Sequence, residues 1–141
     1  MIMPAPRSHD DEGSVLLLTL GYALLAVAVL FVCVCATDLL LAQKRLDALA
    51  DAAALAGADG FTLIVVGEEV RAELTDEGVQ EQAQALVAAL PNDAQLVSAD
   101  TPDGVSARAT VISTWTPPLL SPFVAEGVRL EATATSRTAL R

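Results

Sequence analysis

The stretch Val15–Ala36, VLLLTLGYALLAVAVLFVCVCA, runs without a break into Thr37–Gly60, TDLLLAQKRLDALADAAALAGADG, and together they decide the fold. The first segment carries no charge, and only Thr19, Gly21 and Tyr22 interrupt its apolar run. As a helix at about 1.5 Å per residue it covers roughly 33 Å, enough for a hydrocarbon core of about 30 Å. A buried helix of a soluble domain keeps a polar stripe, and this one keeps none. The run is also longer than the roughly 7–15 apolar residues of a cleavable signal, and Asp10, Asp11 and Glu12 outweigh Arg7 before it. A retained membrane anchor over 14–37 is therefore expected, after a disordered leader over 1–13. Cleavage after Ala36 is the alternative, since Val34 and Ala36 fit the small-residue rule. Cys33 and Cys35 follow Val32 and Val34 rather than the small residue that a lipid-attachment site requires.

Beyond Thr37 the chain stays free of proline and rich in Ala and Leu, both strong helix formers. Apolar or small residues recur at Leu39, Ala42, Leu46, Leu49, Ala53 and Ala56 with alternating three-four spacing, the seam of a helix that packs on another helix. Lys44, Asp47 and Asp51 occupy a different face. The expectation is one helix of about 45 residues, with 38–58 as a stem continuing the span until Gly57 and Gly60 stop it. The seam suits either a partner subunit's helix or the chain's own domain.

Composition agrees with this segregation. Hydrophobic residues make up 53%, mean hydropathy is +0.51, and yet the net charge is −10. Asp59–Asp103 holds ten acids and one Arg (−9), whereas Gly104–Arg141 holds four Arg and two Glu (+2). An acidic chain lacks the basic footprint that displaces counterions from nucleic acid, and 4% aromatic residues give little to stack bases on. Two cysteines exclude a disulfide framework and an all-cysteine zinc site.

The segment EGSVLLLTLGYALLAVAVLFVCVCATDLLLAQKRLDALADAAALAGA resembles the N-terminal module of the bacterial Tad (tight adherence) Flp pilus-assembly proteins, the TadG-like and TadE-like group. Gly13-Ser14 before the span, Asp38 after it, and the DAAALAGA block beginning at Asp51 carry the resemblance. It covers about a third of the chain and implies a single-pass protein of the bacterial cytoplasmic membrane. The N-terminus would be cytoplasmic, and the C-terminal domain outside the cytoplasm would meet other pilus-assembly or pseudopilin-like subunits. The flanking charges do not set orientation: Lys44 and Arg45 outnumber Arg7 by one, and long domains translocate largely regardless of charge. Pilin-like relatives are processed after a glycine and carry glutamate at the fifth mature position, where this chain has Leu18. It also lacks room for the large C-terminal domain of longer relatives, and would be a short member.

From Gly60 onward the pattern predicts a small α+β domain over 59–141, pilin-like in outline. FTLIVV and VRAEL flank a Gly67-Glu68-Glu69 turn signal and read as a hairpin. Thr75 or Asp76 caps a helix through Leu90, with Val79, Ala83, Leu86 and Leu90 on one face and Pro91 ending it. AQLVSAD, then Val105 to Trp115, then Val128 to Thr135 read as strands of an antiparallel sheet with one wet face. The proline-rich TPPLLSPF loop offers Leu119, Leu120 and Phe123 either as a cover for the sheet edge or as a partner patch.

Catalytic patterns do not emerge. His9 stands alone in the leader, Glu68 and Glu69 point to opposite sides of a strand, and no phosphate loop or GxSxG occurs. Asp100 and Asp103 flank a turn without the ligand spacing of a calcium loop. The expectation is a non-enzymatic structural or assembly component with no cofactor, metal, nucleic-acid partner or small-molecule substrate. The alternative is a cleaved or anchored extracytoplasmic binding module unrelated to pili.

Overall fold

The structure, a computed structural model, describes residues 10–118, 122–123 and 126–137. Its elements are α1 (Asp10–Ala58), β1 (Thr62–Val66), β2 (Glu69–Glu73), α2 (Asp76–Ala89), β3 (Gln95–Asp100), β4 (Ser106–Trp115) and β5 (Val128–Arg137). The fold is α+β, with a long N-terminal helix, a second helix and antiparallel strands. α1 begins at Asp10, so residues 10–13 belong to the helix rather than to the expected leader; the rest of that leader lies outside the described residues. The chain divides into two units, Met1–Thr37 and Asp38–Arg141.

The first unit is the apolar part of α1. It is long and apolar enough to cross a membrane, and its most apolar stretch buries nothing against protein. The hydroxyls within it satisfy themselves on the helix: Thr19 Oγ1 donates to Val15 O at 2.7 Å, and Thr37 Oγ1 to Cys33 O at 2.8 Å. Such back-bonding lets a hydroxyl reside in a nonpolar medium without an orphaned donor.

The second unit packs the rest of α1 and α2 on the sheet β3-β4-β5. Its core is mostly alanine: Ala50, Ala53, Ala54 and Ala58 of α1 meet Ala83 of α2 and Ala99, Ala107, Ala109 and Ala132 of the strands. Leu46, Leu74, Val79, Val87, Val111 and Leu130 supply the larger side chains. Small residues bring backbones close, most tightly where α1 ends beside the start of α2. A Cβ on Gly57 would lie 2.9 Å from Val79 Cγ1, and one on Gly78 would lie 2.7 Å from Gly60 O. α2 starts at Thr75, whose hydroxyl accepts from Gly78 N at 3.2 Å, and Asp76 and Glu77 stand in its first turn near the positive end of the dipole. Its buried stripe is Val79, Ala83 and Val87; Leu86 is half-buried and Leu90 exposed, because a stripe repeating every four residues turns away from the predicted one by its last turn.

The strands separate into two sheets rather than one. β4 pairs antiparallel with β3 and β5, while β1 and β2 form a hairpin of their own around Gly67, whose φ of 71° suits glycine.

Candidate functional site

The seam predicted to meet a partner helix is largely occupied by the chain's own domain. Leu46 and Ala53 are buried in the core, and Leu39, Ala42 and Leu49 pack partly against it. The buried stripe follows Leu46, Ala50, Ala53, Ala54, Gly57 and Ala58, whereas Ala56 is only half-buried. A 3.5-residue seam drifts around a straight helix of 3.6 residues per turn, so the contact with the sheet passes from Leu49 and Ala56 to Ala50, Ala54 and Gly57. Leu41, Ala48, Asp51 and Leu55 remain exposed on the stem.

Two of the three motif residues have no described contact. Nothing lies within 4 Å of where a Gly13 side chain would project, and Asp51 is exposed. Asp38, in contrast, ties sequence-distant elements together: its Oδ2 accepts a 2.7 Å hydrogen bond from Trp115 Nε1 at the end of β4. The indole N–H has only donor character, so a carboxylate is a well-matched partner. Sequence reading marked Asp38 by resemblance and Trp115 only as a strand residue; their pairing across 77 positions has no local signature.

Beside this pair a cleft of about 320 Å³ opens between the stem and the sheet. Ala42, Leu46, Leu49, Trp115 and Leu130 contribute its apolar wall, and Arg45 and Asp93 are exposed at its rim. Asn92 shapes the turn from α2 into β3. Its Nδ2 donates to Val87 O at 3.1 Å and Leu90 O at 2.9 Å, while its Oδ1 accepts from Ala94 N at 2.8 Å. These bonds satisfy carbonyls that the end of α2 leaves open. No sequence signal pointed to this cleft, because its walls come from α1, one turn and two strands.

The 102–104 turn also has a specific structure. Asp103 Oδ1 accepts from Ser106 N at 2.6 Å and Val105 N at 3.0 Å, and its Oδ2 accepts from Ser106 Oγ at 2.9 Å. The Ser106 amide, then the Val105 amide and the Ser106 hydroxyl, hold the Asp103 carboxyl below its ordinary range, and Arg137 adds to the effect. That is turn chemistry. Among the described residues, no three His, Cys, Asp or Glu side chains gather as metal ligands.

The loop patch is described only in part. Leu119 and Leu120 lie outside the described residues, and Phe123 is 83% exposed, so its ring does not cover the sheet edge. On the first unit, Gly21 leaves a shallow hollow between Ser14, Leu17, Leu18, Tyr22 and Leu25. Comparison with protein-family models, with curated proteins and with solved structures gives no match.

Proposed function

We propose that this protein is a membrane-anchored, non-enzymatic structural component of a bacterial Tad/Flp-type pilus or related secretion assembly. In this reading it is single-pass, with its N-terminus in the cytoplasm and its C-terminal domain outside. The observation that carries the proposal is the division of labour along α1. From Gly13 to Thr37 it is an uncharged helix with exposed apolar side chains, and its later part is built into a small α+β domain. Water penalises that apolar helix surface at roughly 25 cal/mol per Å², and a bilayer relieves the penalty. The Gly13-Ser14, Asp38 and DAAALAGA resemblance supplies the assembly class.

Because the domain consumes most of the seam, partners meet what is left: the span, with its hollow at Gly21, and the exposed Leu41 and Leu55 of the stem. Small residues let helices approach closely in lipid. The test is isolation of the tagged protein from host membranes after crosslinking, together with a count of surface fibres in a deletion strain. The expected result is co-isolation of other small membrane subunits and an assembly ATPase, lost in Leu55→Lys although that variant still inserts. Normal fibres and secretion in the deletion strain would sink the proposal.

The cleft favours one competing reading, an extracytoplasmic binding module. The mass of the mature chain identifies the cleaved form of that module, since a chain starting at Thr37 has been released from its anchor; normal fibres in the deletion strain point to the anchored form.

A further inference from the structure

β4 runs back along the stem toward the residue where the span ends. Near its start, a Cβ on Gly57 would lie 3.3 Å from Ala107 Cβ. Further along, Gln43 Nε2 donates at 3.2 Å to the carbonyl of Glu131, the partner of Ile112 in the ladder. At its end, Trp115 Nε1 donates to Asp38 Oδ2 at 2.7 Å. The two lengths agree: Asp38 to Gly57 rises roughly 28 Å as a helix, and Ala107 to Trp115 covers about 27 Å as an antiparallel strand. β4 is therefore antiparallel to the stem over almost all of it, and the chain that leaves Trp115 emerges at the Asp38 end. Asp38 directly follows Thr37, which closes the uncharged run.

The connection from β4 to β5 is pinned at both feet. Pro117 is buried, and Trp115 pairs with Val128 at the end of the ladder. Gly127, with φ of 63°, comes so close that a Cβ there would lie 2.7 Å from Thr114 Cγ2 and 2.8 Å from Trp115 O. Phe123 stands four residues before Gly127, within about 14 Å of it by chain length. The polar layer on each side of a bilayer is roughly 5–8 Å thick, so Phe123 is within reach of it. Its ring is 83% exposed, and Leu40 and Val128 at the same end are exposed as well. Among the described residues here the exposed charges are Asp38, Glu126 and Arg129. They leave no basic excess to attract anionic headgroups, and what this end offers a membrane is apolar and aromatic.

We infer that Phe123 enters the interfacial layer of the bilayer that α1 crosses, giving the domain a second contact with the lipid surface. The inference rests on the reading of α1 as a membrane anchor. Trp115 then lies at headgroup level, where an indole suits both surroundings: its N–H is bonded to a carboxylate and its ring is apolar. Burying the Phe123 ring removes apolar surface from water without ordering a long segment, because Pro117, Pro118 and Pro122 already restrict the backbone around it. Asp38 acts as the positioning residue, since its bond to Trp115 sets the level at which the connection leaves the sheet. The turn at 102–104, at the opposite end of β4, faces water in this arrangement.

The test uses the full chain with Cys33→Ala and Cys35→Ala, reconstituted at low density in phosphatidylcholine vesicles. Phe123→Cys and, separately, Thr135→Cys carry a nitroxide spin label in place of the side chain. Both positions are exposed, and Thr135 pairs with Arg108 near the far end of β4. Circular dichroism checks that each variant keeps its fold. Collisions with oxygen, which concentrates in hydrocarbon, are compared with collisions with a water-soluble nickel chelate. At position 123 oxygen should relax the label about threefold more than the chelate does, with the order reversed at 135. Added salt should change neither, since the contact is apolar. A label at 123 dominated by the chelate overturns the inference. So does low access to both reagents, which means that protein covers the site, and so does equal lipid exposure at 135, which means that the label inserts by itself. Alkaline washing of the vesicles reads the anchor independently. A retained chain with a water-facing label at 123 refutes this inference alone, whereas a chain washed off the vesicles refutes the anchor and this inference together.

Discussion

Gly57 sits where α1, α2 and β4 converge, and replacing it tests the packing of the whole domain. A Cβ there would lie 2.9 Å from Val79 Cγ1 and 3.3 Å from Ala107 Cβ. Carbon atoms prefer about 3.5–4.0 Å, so the elements must part by several tenths of an ångström. Val79 is fully buried and cannot swing away. Overpacking of this kind costs about 1–3 kcal/mol, while alanine in place of glycine inside a helix returns about 1 kcal/mol. Gly57→Ala should therefore destabilise by about 1 kcal/mol, and by as much as about 2 kcal/mol if the helices cannot separate. Val79→Ala alone removes two carbons, worth about 1.6 kcal/mol by transfer plus a cavity term, or roughly 2–3 kcal/mol in all. In the double variant the new methyl enters that cavity and the helix gain survives. Gly57→Ala should then stabilise the Val79→Ala background by up to about 1 kcal/mol, a reversal of sign. Urea unfolding of the full chain in detergent, followed by fluorescence of Trp115, the single tryptophan, reads all four corners of the cycle. If Gly57→Ala has the same sign and size in both backgrounds, the reasoning about this junction is wrong.

Two other perturbations act at points the structure singles out. Asp38→Ala removes the acceptor for Trp115 Nε1 and should cost about 1 kcal/mol, less than the roughly 1.5–3 kcal/mol of a shielded charged hydrogen bond because Asp38 is exposed, with a shift in Trp115 emission. Asp38→Asn keeps an acceptor and should fall between the two; an unchanged transition in Asp38→Ala would dismiss the contact. The Asp103 carboxyl is held below its ordinary value of 3.8, so the stability it contributes is present above that value and is lost as pH falls through the lower folded one. Asp103→Ala should therefore be less stable than the parent at neutral pH, and the difference should shrink as pH falls through the lowered folded value. A gap that stays constant with pH would refute the assignment, and parallel denaturation curves across that range decide it.

Much of the architecture was legible because it rests on local chemistry. The uncharged run, the cap at Thr75, the stop at Pro91 and the turn at Gly67 each depend on residues near in sequence, and the helices and strands lie where those signals put them. Faces of elements were less secure. Leu49 and Ala56 fit a seam, yet the buried stripe runs through Ala50, Ala54 and Gly57, because the sheet against which α1 packs selects the face.

Sequence by itself thus determined which segment is apolar enough to cross a membrane, the order and type of the elements, and where the charge lies, but not every boundary, since α1 begins already at Asp10. Tertiary structure alone decided that the stem turns much of its seam inward, that Asp38 meets Trp115, and that among the described strands the hairpin pairs separately from the main sheet. The reason is physical: periodicity and capping act over a few residues, whereas pairing of strands and choice of helix face depend on which surfaces compete for burial across the whole domain.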